Sequence, residues 1–302
     1  MAVDPAEPAE PRRRRVASGS PEASHALPLL VRDLSGGYGA LRALEHVDLE
    51  VARGEIVGVV GPSGAGKTTL LRLLTGQADR HAGRVEVAGQ RIRNRRAPRR
   101  VGLVPQLGSV DWDFPLTVEQ AVLLGLSADS GRRPWFSRSE RARARELLDR
   151  LGLDGLAQRP IRALSGGQRQ RMFLARAMIR DADVLLLDEP TSGVDVATRA
   201  EVLGLVGELA ADGLAVLITT HDLNWVAAHL PRLLFLNQSV VADGPPREVL
   251  TPEVLRKTYE ADLTVIHEQG RIAVVDEQPL LGSAATASAA AADRAERPPW
   301  TG

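Results

Sequence analysis

Gly61-Pro62-Ser63-Gly64-Ala65-Gly66-Lys67-Thr68 is the stretch that decides the fold. It fits Gly-x-x-x-x-Gly-Lys-[Ser/Thr], in which glycines let backbone N–H groups close around phosphates lying at a helix N-terminus. The pattern has weight only between a strand and a helix, and both neighbours suit it. Ile56-Val57-Gly58-Val59-Val60 is a short apolar, β-branched run, and Thr69-Leu70-Leu71-Arg72-Leu73-Leu74 reads as the start of a helix. Lys67 is one of only two lysines in a chain that otherwise uses arginine, which makes an accidental match rarer. On this reading Gly61, Pro62, Ser63, Gly64, Ala65 and Gly66 form the loop and Thr69 continues into the helix. Lys67 reaches the β- and γ-phosphates of a nucleotide, and the Thr68 hydroxyl completes the coordination of Mg²⁺.

Two more apolar runs end in polar residues. Val184-Leu185-Leu186-Leu187 runs into Asp188 and Glu189, and Ala215-Val216-Leu217-Ile218-Thr219-Thr220 runs into His221. Continuous apolar runs suit parallel strands covered by helices on both faces, and such sheets bind ligands beyond the carboxyl ends of their strands. The polar residues therefore fall where phosphates would lie. Asp188 is expected to hold Mg²⁺ and Glu189 to take a proton from, or orient, an attacking water. His221 is expected to contact the γ-phosphate and help fix that water.

Between the loop and the first of those strands lies Leu164-Ser165-Gly166-Gly167-Gln168. With these motifs in this order, the chain resembles the nucleotide-binding subunits of ABC transporters over about Leu29 to Tyr259. The resemblance implies an α/β fold: a P-loop NTPase core with a mostly parallel sheet, an antiparallel β subdomain and an inserted helical subdomain. It implies that Ser165, Gly166, Gly167 and Gln168 touch the γ-phosphate of ATP held by the other subunit. The physical basis would again be an anion site at a helix terminus, now supplied in trans. A single copy thus implies a homodimer with ATP at the interface. By the same resemblance Tyr38 stacks on adenine, Gln106 links Mg²⁺ and water to the membrane partner, and Asp195 belongs to the loop that crosses the dimer. The implied partners are two integral membrane permease subunits and, indirectly, an extracellular substrate-binding protein, with the chain peripheral on the cytoplasmic face of the membrane.

Composition sets the limits of the folded part. Residues 1–26 are rich in Pro, Glu, Ala and Arg, and residues 283–302 are mostly Ala with charges. Neither can bury enough apolar surface to offset the entropy of ordering, so both are expected to be disordered tails. Residues 27–260 are then the ATPase domain, with a helical insertion at about 107–164, and residues 261–282 a small β accessory element. The absence of cysteine excludes disulfides and cysteine metal sites. No stretch of about 18 apolar residues is present to span a bilayer, and the N-terminus lacks an apolar signal core. Arg12–Arg15 reads as part of a solvated tail. Lys and Arg together number 38 against 38 Asp and Glu, a balance that gives no sign of nucleic-acid binding.

Along the chain, Leu30-Val31 and Val47–Val51 read as an antiparallel hairpin, with Gly36, Gly37 and Gly39 breaking the pattern around Tyr38. Arg84–Val104 reads as two short strands around an arginine-rich turn. Ser137-Arg138-Ser139-Glu140 has capping-box spacing ahead of a helix with Ala144, Leu147, Leu148 and Leu151 on one face. Strands are expected at Leu233–Leu236 and Val240-Val241, helical pieces at Pro246–Leu250 and Pro252–Tyr259, and a last hairpin at Thr264–His267 and Arg271–Val275.

The segment Ser109–Thr117 resembles that of importers of manganese, zinc and related divalent metals, as do Gly193–Val196 and Gly244–Leu250. No residue chemistry selects a metal, because the six histidines are scattered and no His/Asp/Glu group has ligand spacing. The catalytic motifs serve equally in importers of iron–siderophores or other small solutes. A non-transport relative is the alternative of another class. Trp112 and Phe114 lie in a segment too rich in Asp and Pro for a core element, and are read as anchors for a membrane partner, with packing against the helical subdomain as the alternative.

Overall fold

Every position of Val184–Leu187 is apolar because the strand it forms is covered on both faces. In the computed structural model, which describes residues 26–95, 98–126, 135–268 and 271–276, this run is β7 (Val184–Asp188). Its side chains alternate: Leu185 and Leu187 enter one core, Val184 and Leu186 the other. The neighbouring β8 (Ala215–Thr220) repeats the division, with Val216 and Ile218 on one side and Ala215 and Leu217 on the other. Each buried leucine or valine contributes about 1.5–3 kcal/mol, so a strand of this kind is held from both faces.

The main sheet has the order β10-β9-β3-β8-β7-β6, with β3 at Ile56–Val60, β6 at Val101–Val104, β9 at Arg232–Asn237 and β10 at Ser239–Gly244. All its pairs are parallel except β9 with β10 at the edge. Helix α1 (Lys67–Leu74) covers one face beneath a four-stranded antiparallel sheet made, in order, of β2 (Leu41–Val51), β1 (Leu29–Tyr38), β4 (Asp79–Val87) and β5 (Gln90–Arg91). Helices α4 (Gly166–Met178), α5 (Val196–Ala211) and α6 (Leu223–His229) contribute to the core on the other face.

The antiparallel sheet corrects the sequence reading. β1 (Leu29–Tyr38) runs through Gly36 and Gly37, where an interruption was expected, whereas Gly39 does break the pattern, in the turn before β2 (Leu41–Val51). A Cβ on Gly37 would lie 2.1 Å from the Leu41 carbonyl oxygen, so glycine marks close strand approach rather than a break. Register shifts between Val31 and Gly37 absorb the mismatch as bulges. β4 also starts earlier than expected, at Asp79, and runs to Val87 before a two-residue β5 (Gln90–Arg91).

Between β6 and β7 lie α2 (Val118–Leu123), α3 (Arg138–Arg150) and α4. All three begin with a reciprocal capping box: Thr117 with Gln120, Ser137 with Glu140, and Ser165 with Gln168. Ala144, Leu147 and Leu148 of α3 are buried, with Leu151 at its C-cap. After β10 come α7 (Pro246–Val249), α8 (Pro252–Tyr259) and a separate hairpin of β11 (Leu263–Glu268) and β12 (Arg271–Asp276). The hairpin is tied to α6 by Asn224, whose side chain donates to the Val274 carbonyl at 3.1 Å and accepts from the Val274 amide at 2.7 Å. Apart from Ala26, the expected terminal tails lie outside the described residues, as does Arg12–Arg15.

Trp112 and Phe114 differ in burial. Trp112 is half-buried, edge-on to Phe173 of α4 with ring centroids 5.8 Å apart, and its indole N–H donates to the Leu107 carbonyl at 3.2 Å. The Arg169 guanidinium carbon lies 4.2 Å from its ring centroid. Phe114 is 56% exposed. Of the two readings, packing against the helical subdomain is the one the contacts of Trp112 follow, because α4 offers its ring an aromatic and a cation. We predict that Trp112→Ala destabilises by ~2 kcal/mol, seen as a melting temperature lower by roughly 5 °C. Phe114→Ala should melt within about 1 °C of the parent, since exposed substitutions cost little.

Candidate functional site

The glycine-rich loop leaves β3 and enters α1 at Gly66, which caps the helix with φ 96°, a left-handed conformation natural to glycine. A Cβ at Gly66 would also lie 2.4 Å from Leu44 Cδ2, so the loop is pressed against the antiparallel sheet. Ser63, Gly64 and Thr68 are exposed, whereas Gly61, Ala65, Gly66, Lys67 and Thr69 are buried and Pro62 is half-buried. The Lys67 ammonium donates to the Gly61 and Pro62 carbonyls at 2.7 and 2.8 Å. Burial lowers its pKa, while the nearby Glu189 and Asp188 act in the opposite sense. The loop is braced from behind by the turn between β9 and β10, where the Gln238 amide donates to the Ala65 carbonyl at 3.0 Å.

Three strand ends meet beside this loop. Thr68 Oγ1 donates to Asp188 Oδ1 at 3.2 Å, and Thr219 Oγ1 donates to the same oxygen at 2.7 Å. Glu189 follows directly, with φ 46°. A non-glycine residue in that region costs on the order of 1–2 kcal/mol and persists only where its surroundings hold it. Here the Glu189 amide donates to both the Thr219 carbonyl at 3.2 Å and the Thr219 hydroxyl at 3.1 Å. The Glu189 carboxylate receives the Gln106 side-chain amide on Oε2 at 3.2 Å and faces His221 Nδ1 from Oε1 at 3.4 Å. Gln106, Glu189 and His221, distant in sequence, thus form one cluster, joined through Asp188 to Thr68.

Other residues singled out in the sequence lie apart from that cluster. Ser165 is the N-cap of α4: its hydroxyl accepts from the Gln168 amide at 3.3 Å, and Gln168 Oε1 accepts from the Ser165 amide at 3.0 Å. Gly166 and Gly167 form the first turn, and a Cβ on Gly167 would lie 3.1 Å from Thr198. Thr198 is held by Asp195, which caps α5 through the Thr198 amide and hydroxyl, both at 2.9 Å. Those bonds keep the Asp195 carboxyl below its usual pKa. Ser165–Gln168 and Asp195 are thus neighbours. Among the described residues, no hydrogen bond joins either to Gly61–Thr69 of the same chain. Tyr38 is 40% exposed, and its hydroxyl accepts from Arg72 on α1 at 2.9 Å.

Two residues near the site were missed by the sequence reading. Thr219 looks like an ordinary member of a β-branched strand, and only its depth reveals its bonds. Tyr259, read only as the end of a helix, has a buried phenol oxygen, and burial raises the pKa of that phenol. Among the described residues no group of three or more His, Asp or Glu is placed to hold a metal ion. No described helix is long and apolar enough to cross a membrane.

Comparison with known proteins agrees with this geometry. The sequence profile of the ABC transporter family matches residues 44–192. The chain is 38% identical over 244 residues to the manganese transport system ATP-binding protein MntB of Bacillus subtilis (strain 168), covering 80% of this chain and 96% of that protein. It is 41% identical over 232 residues to the zinc transport system ATP-binding protein TroB of Treponema pallidum (strain Nichols), covering 76% and 85%. Among solved structures, an inward-facing ABC transporter described as of the metal-chelate type superposes with a TM-score of 0.68 at 31% identity, covering 82% of this chain and 96% of that one. The ADP conformation of the ATP-binding cassette MJ1267 gives a TM-score of 0.67 at 26% identity, covering 76% and 97%. The matched span takes in the glycine-rich loop and the strand-end acids, and the chain belongs to the ABC transporter family as one of its ATP-binding, ATP-hydrolysing subunits.

Proposed function

We propose that the chain powers a membrane importer of divalent metal ions, manganese or zinc, by hydrolysing ATP with Mg²⁺ between two copies of itself. The catalytic part rests on the meeting of Gln106, Glu189 and His221 beside the Thr68–Asp188 pair. That donor set fits Mg²⁺, which takes few protein oxygens and relies on substrate phosphates and water for the rest. Thr68 and Asp188 would hold the ion, with Gln106 next to them, and the ion would supply neutralisation of phosphate charge. Lys67, the loop amides and the N-terminus of α1 bind and orient the triphosphate. The Lys67 donors that now close on Gly61 and Pro62 carbonyls are those that would turn to phosphate oxygens. Glu189 accepts a proton from the attacking water as its oxygen bonds to the γ-phosphorus, and the bond from that phosphorus to the β–γ bridging oxygen breaks. His221 and Gln106 hold Glu189 and the water in place, and Tyr38 stacks on adenine.

The dimer reading rests on Ser165–Gln168 and Asp195 lying together, away from the loop of their own chain. An uncovered helix N-terminus with two glycines would receive phosphate from a second copy. The metal reading rests on the names of the MntB and TroB proteins, at 38% and 41% identity. The superposition on a metal-chelate type transporter favours chelated metal as the second reading. Either way the chain would sit against two membrane permease subunits at the cytoplasmic face. Selection of the cargo would lie with the permease and an extracellular binding protein, since the chain offers no ligand cluster among its described residues.

For catalysis, Glu189→Gln should bind ATP within a few-fold of wild type yet lose roughly 100-fold or more in turnover, whereas Lys67→Ala should fail at binding. Turnover in Glu189→Gln close to the parent would remove its catalytic role. The dimer is tested by mixing Ser165→Arg with Lys67→Ala subunits. One site then carries both lesions and the other neither, so ATP-driven association should exceed that of either variant alone. For the cargo, restoring the chain with its membrane partner in deficient cells should raise cell-associated manganese or zinc. A rise only in iron supplied as a siderophore complex would favour the second reading.

A further inference from the structure

Thr219 belongs to none of the motifs that mark the site, yet its side chain joins the two acids on which the site depends. It is wholly buried near the C-terminal end of β8, in register with Asp188 across the parallel ladder. Its neighbours Leu217 and Ile218 are apolar, so packing alone would be met by valine at the same position. A hydroxyl has one donor and two acceptor lone pairs, and Thr219 uses both functions on adjacent residues. The donor goes to Asp188 Oδ1 at 2.7 Å, with the Leu187 carbonyl a longer partner at 3.4 Å, and a lone pair takes the Glu189 amide at 3.1 Å.

The two bonds have different consequences. Thr68 at the start of α1 and Thr219 near the end of β8 both donate to Oδ1 of Asp188, so two hydroxyls from different elements fix the rotation of that carboxylate. At Glu189 the backbone is in the left-handed region, and the amide is held there by the carbonyl and hydroxyl of the same threonine. Where the Glu189 side chain starts, and so how it meets Gln106 and His221, follows from that hold.

We propose that Thr219 is a positioning residue for ATP hydrolysis, its one hydroxyl setting the Asp188 carboxylate and the Glu189 backbone relative to each other. The proposal rests on the roles given to Asp188 and Glu189 under the proposed function. Thr219 is wholly buried and acts through the two acids it bonds. Its loss should therefore alter turnover and Mg²⁺ dependence far more than nucleotide binding.

The test compares Thr219→Val, which keeps shape and loses the hydroxyl, with Thr219→Ser, which keeps the hydroxyl, in the full chain. For Thr219→Val we expect kcat to fall by about 10- to 100-fold, with KM for ATP changed less than about 3-fold, because a displaced catalytic group costs rate before affinity. The Mg²⁺ concentration for half-maximal activity should rise several-fold, and Thr219→Ser should recover kcat to within about 3-fold of the parent. On a Glu189→Gln background, Thr219→Val should cost less than it does on the parent, since part of its effect runs through that carboxylate. The proposal is overturned if Thr219→Val turns over within about 3-fold of the parent, or if Thr219→Ser is as slow as Thr219→Val. If Thr219→Val does not fold, Thr219→Ala is read in its place. A Glu189→Gln chain that hydrolyses ATP normally sinks the reading of Glu189 itself. A slow Glu189→Gln with a normal Thr219→Val sinks the present proposal alone.

Discussion

The parallel ladder between β3, β8 and β7 is the constraint on which the rest of the structure depends. Val60 pairs with Thr220 and Asp188 with Thr219, so the strands finish at one edge and their following loops emerge together. A slip of one residue would exchange the faces on which Leu185 and Leu186 sit, and would drive Asp188 toward the apolar interior or pull Leu187 out of it. Burial on both faces therefore sets the register, and the register sets the site. Gln106 joins the same edge through β6, whose Val104 lies beside Leu187.

A ladder of this kind leaves polar groups at its end in a partly dry setting, where unmet hydrogen bonds are costly. The hydroxyls of Thr68 and Thr219 meet that need at Asp188, and Thr219 meets it again at the Glu189 amide. Lys67 is met by backbone carbonyls of its own loop. The result is a site whose protein groups are already satisfied by one another. A nucleotide must then compete for donors, and its triphosphate, with several negative oxygens, can outbid neutral carbonyls for an ammonium group.

The helices between β6 and β7 obey a different logic. α2, α3 and α4 each start with a capping box, and their inner faces share one core with β7, β8 and β9. Packing on Met172, Phe173 and Leu174 holds α4 so that its N-terminus stays exposed, with the Asp195 cap of α5 at its side. One chain thus presents two separate polar surfaces, the loop with its strand ends and the start of α4. Arg232 ties the outer strands together through Glu55 at 2.8 Å and Asp243 at 2.6 Å, a partly exposed network of modest worth that fixes orientation more than stability.

Local chemistry made much of this legible from the amino-acid sequence. Glycines before a lysine, an acid pair after an apolar run, and Ser-x-x-Glu before a helix each act within a few residues, and each element formed as those patterns suggest. The strands β7, β8 and β9, the cap at Ser137 and the last hairpin are of this kind. What the chain alone did not disclose depends on contacts across long separations. The glycines of β1 looked like breaks until β2 was seen to pass within contact of Gly37, and Trp112 looked like a free anchor until α4 placed Phe173 and Arg169 against it. Thr219 is the plainest case. In sequence it is one more β-branched residue, and only the register of β8 against β7 puts its hydroxyl between Asp188 and Glu189, because hydrogen bonds between strands depend on pairing that no local pattern encodes.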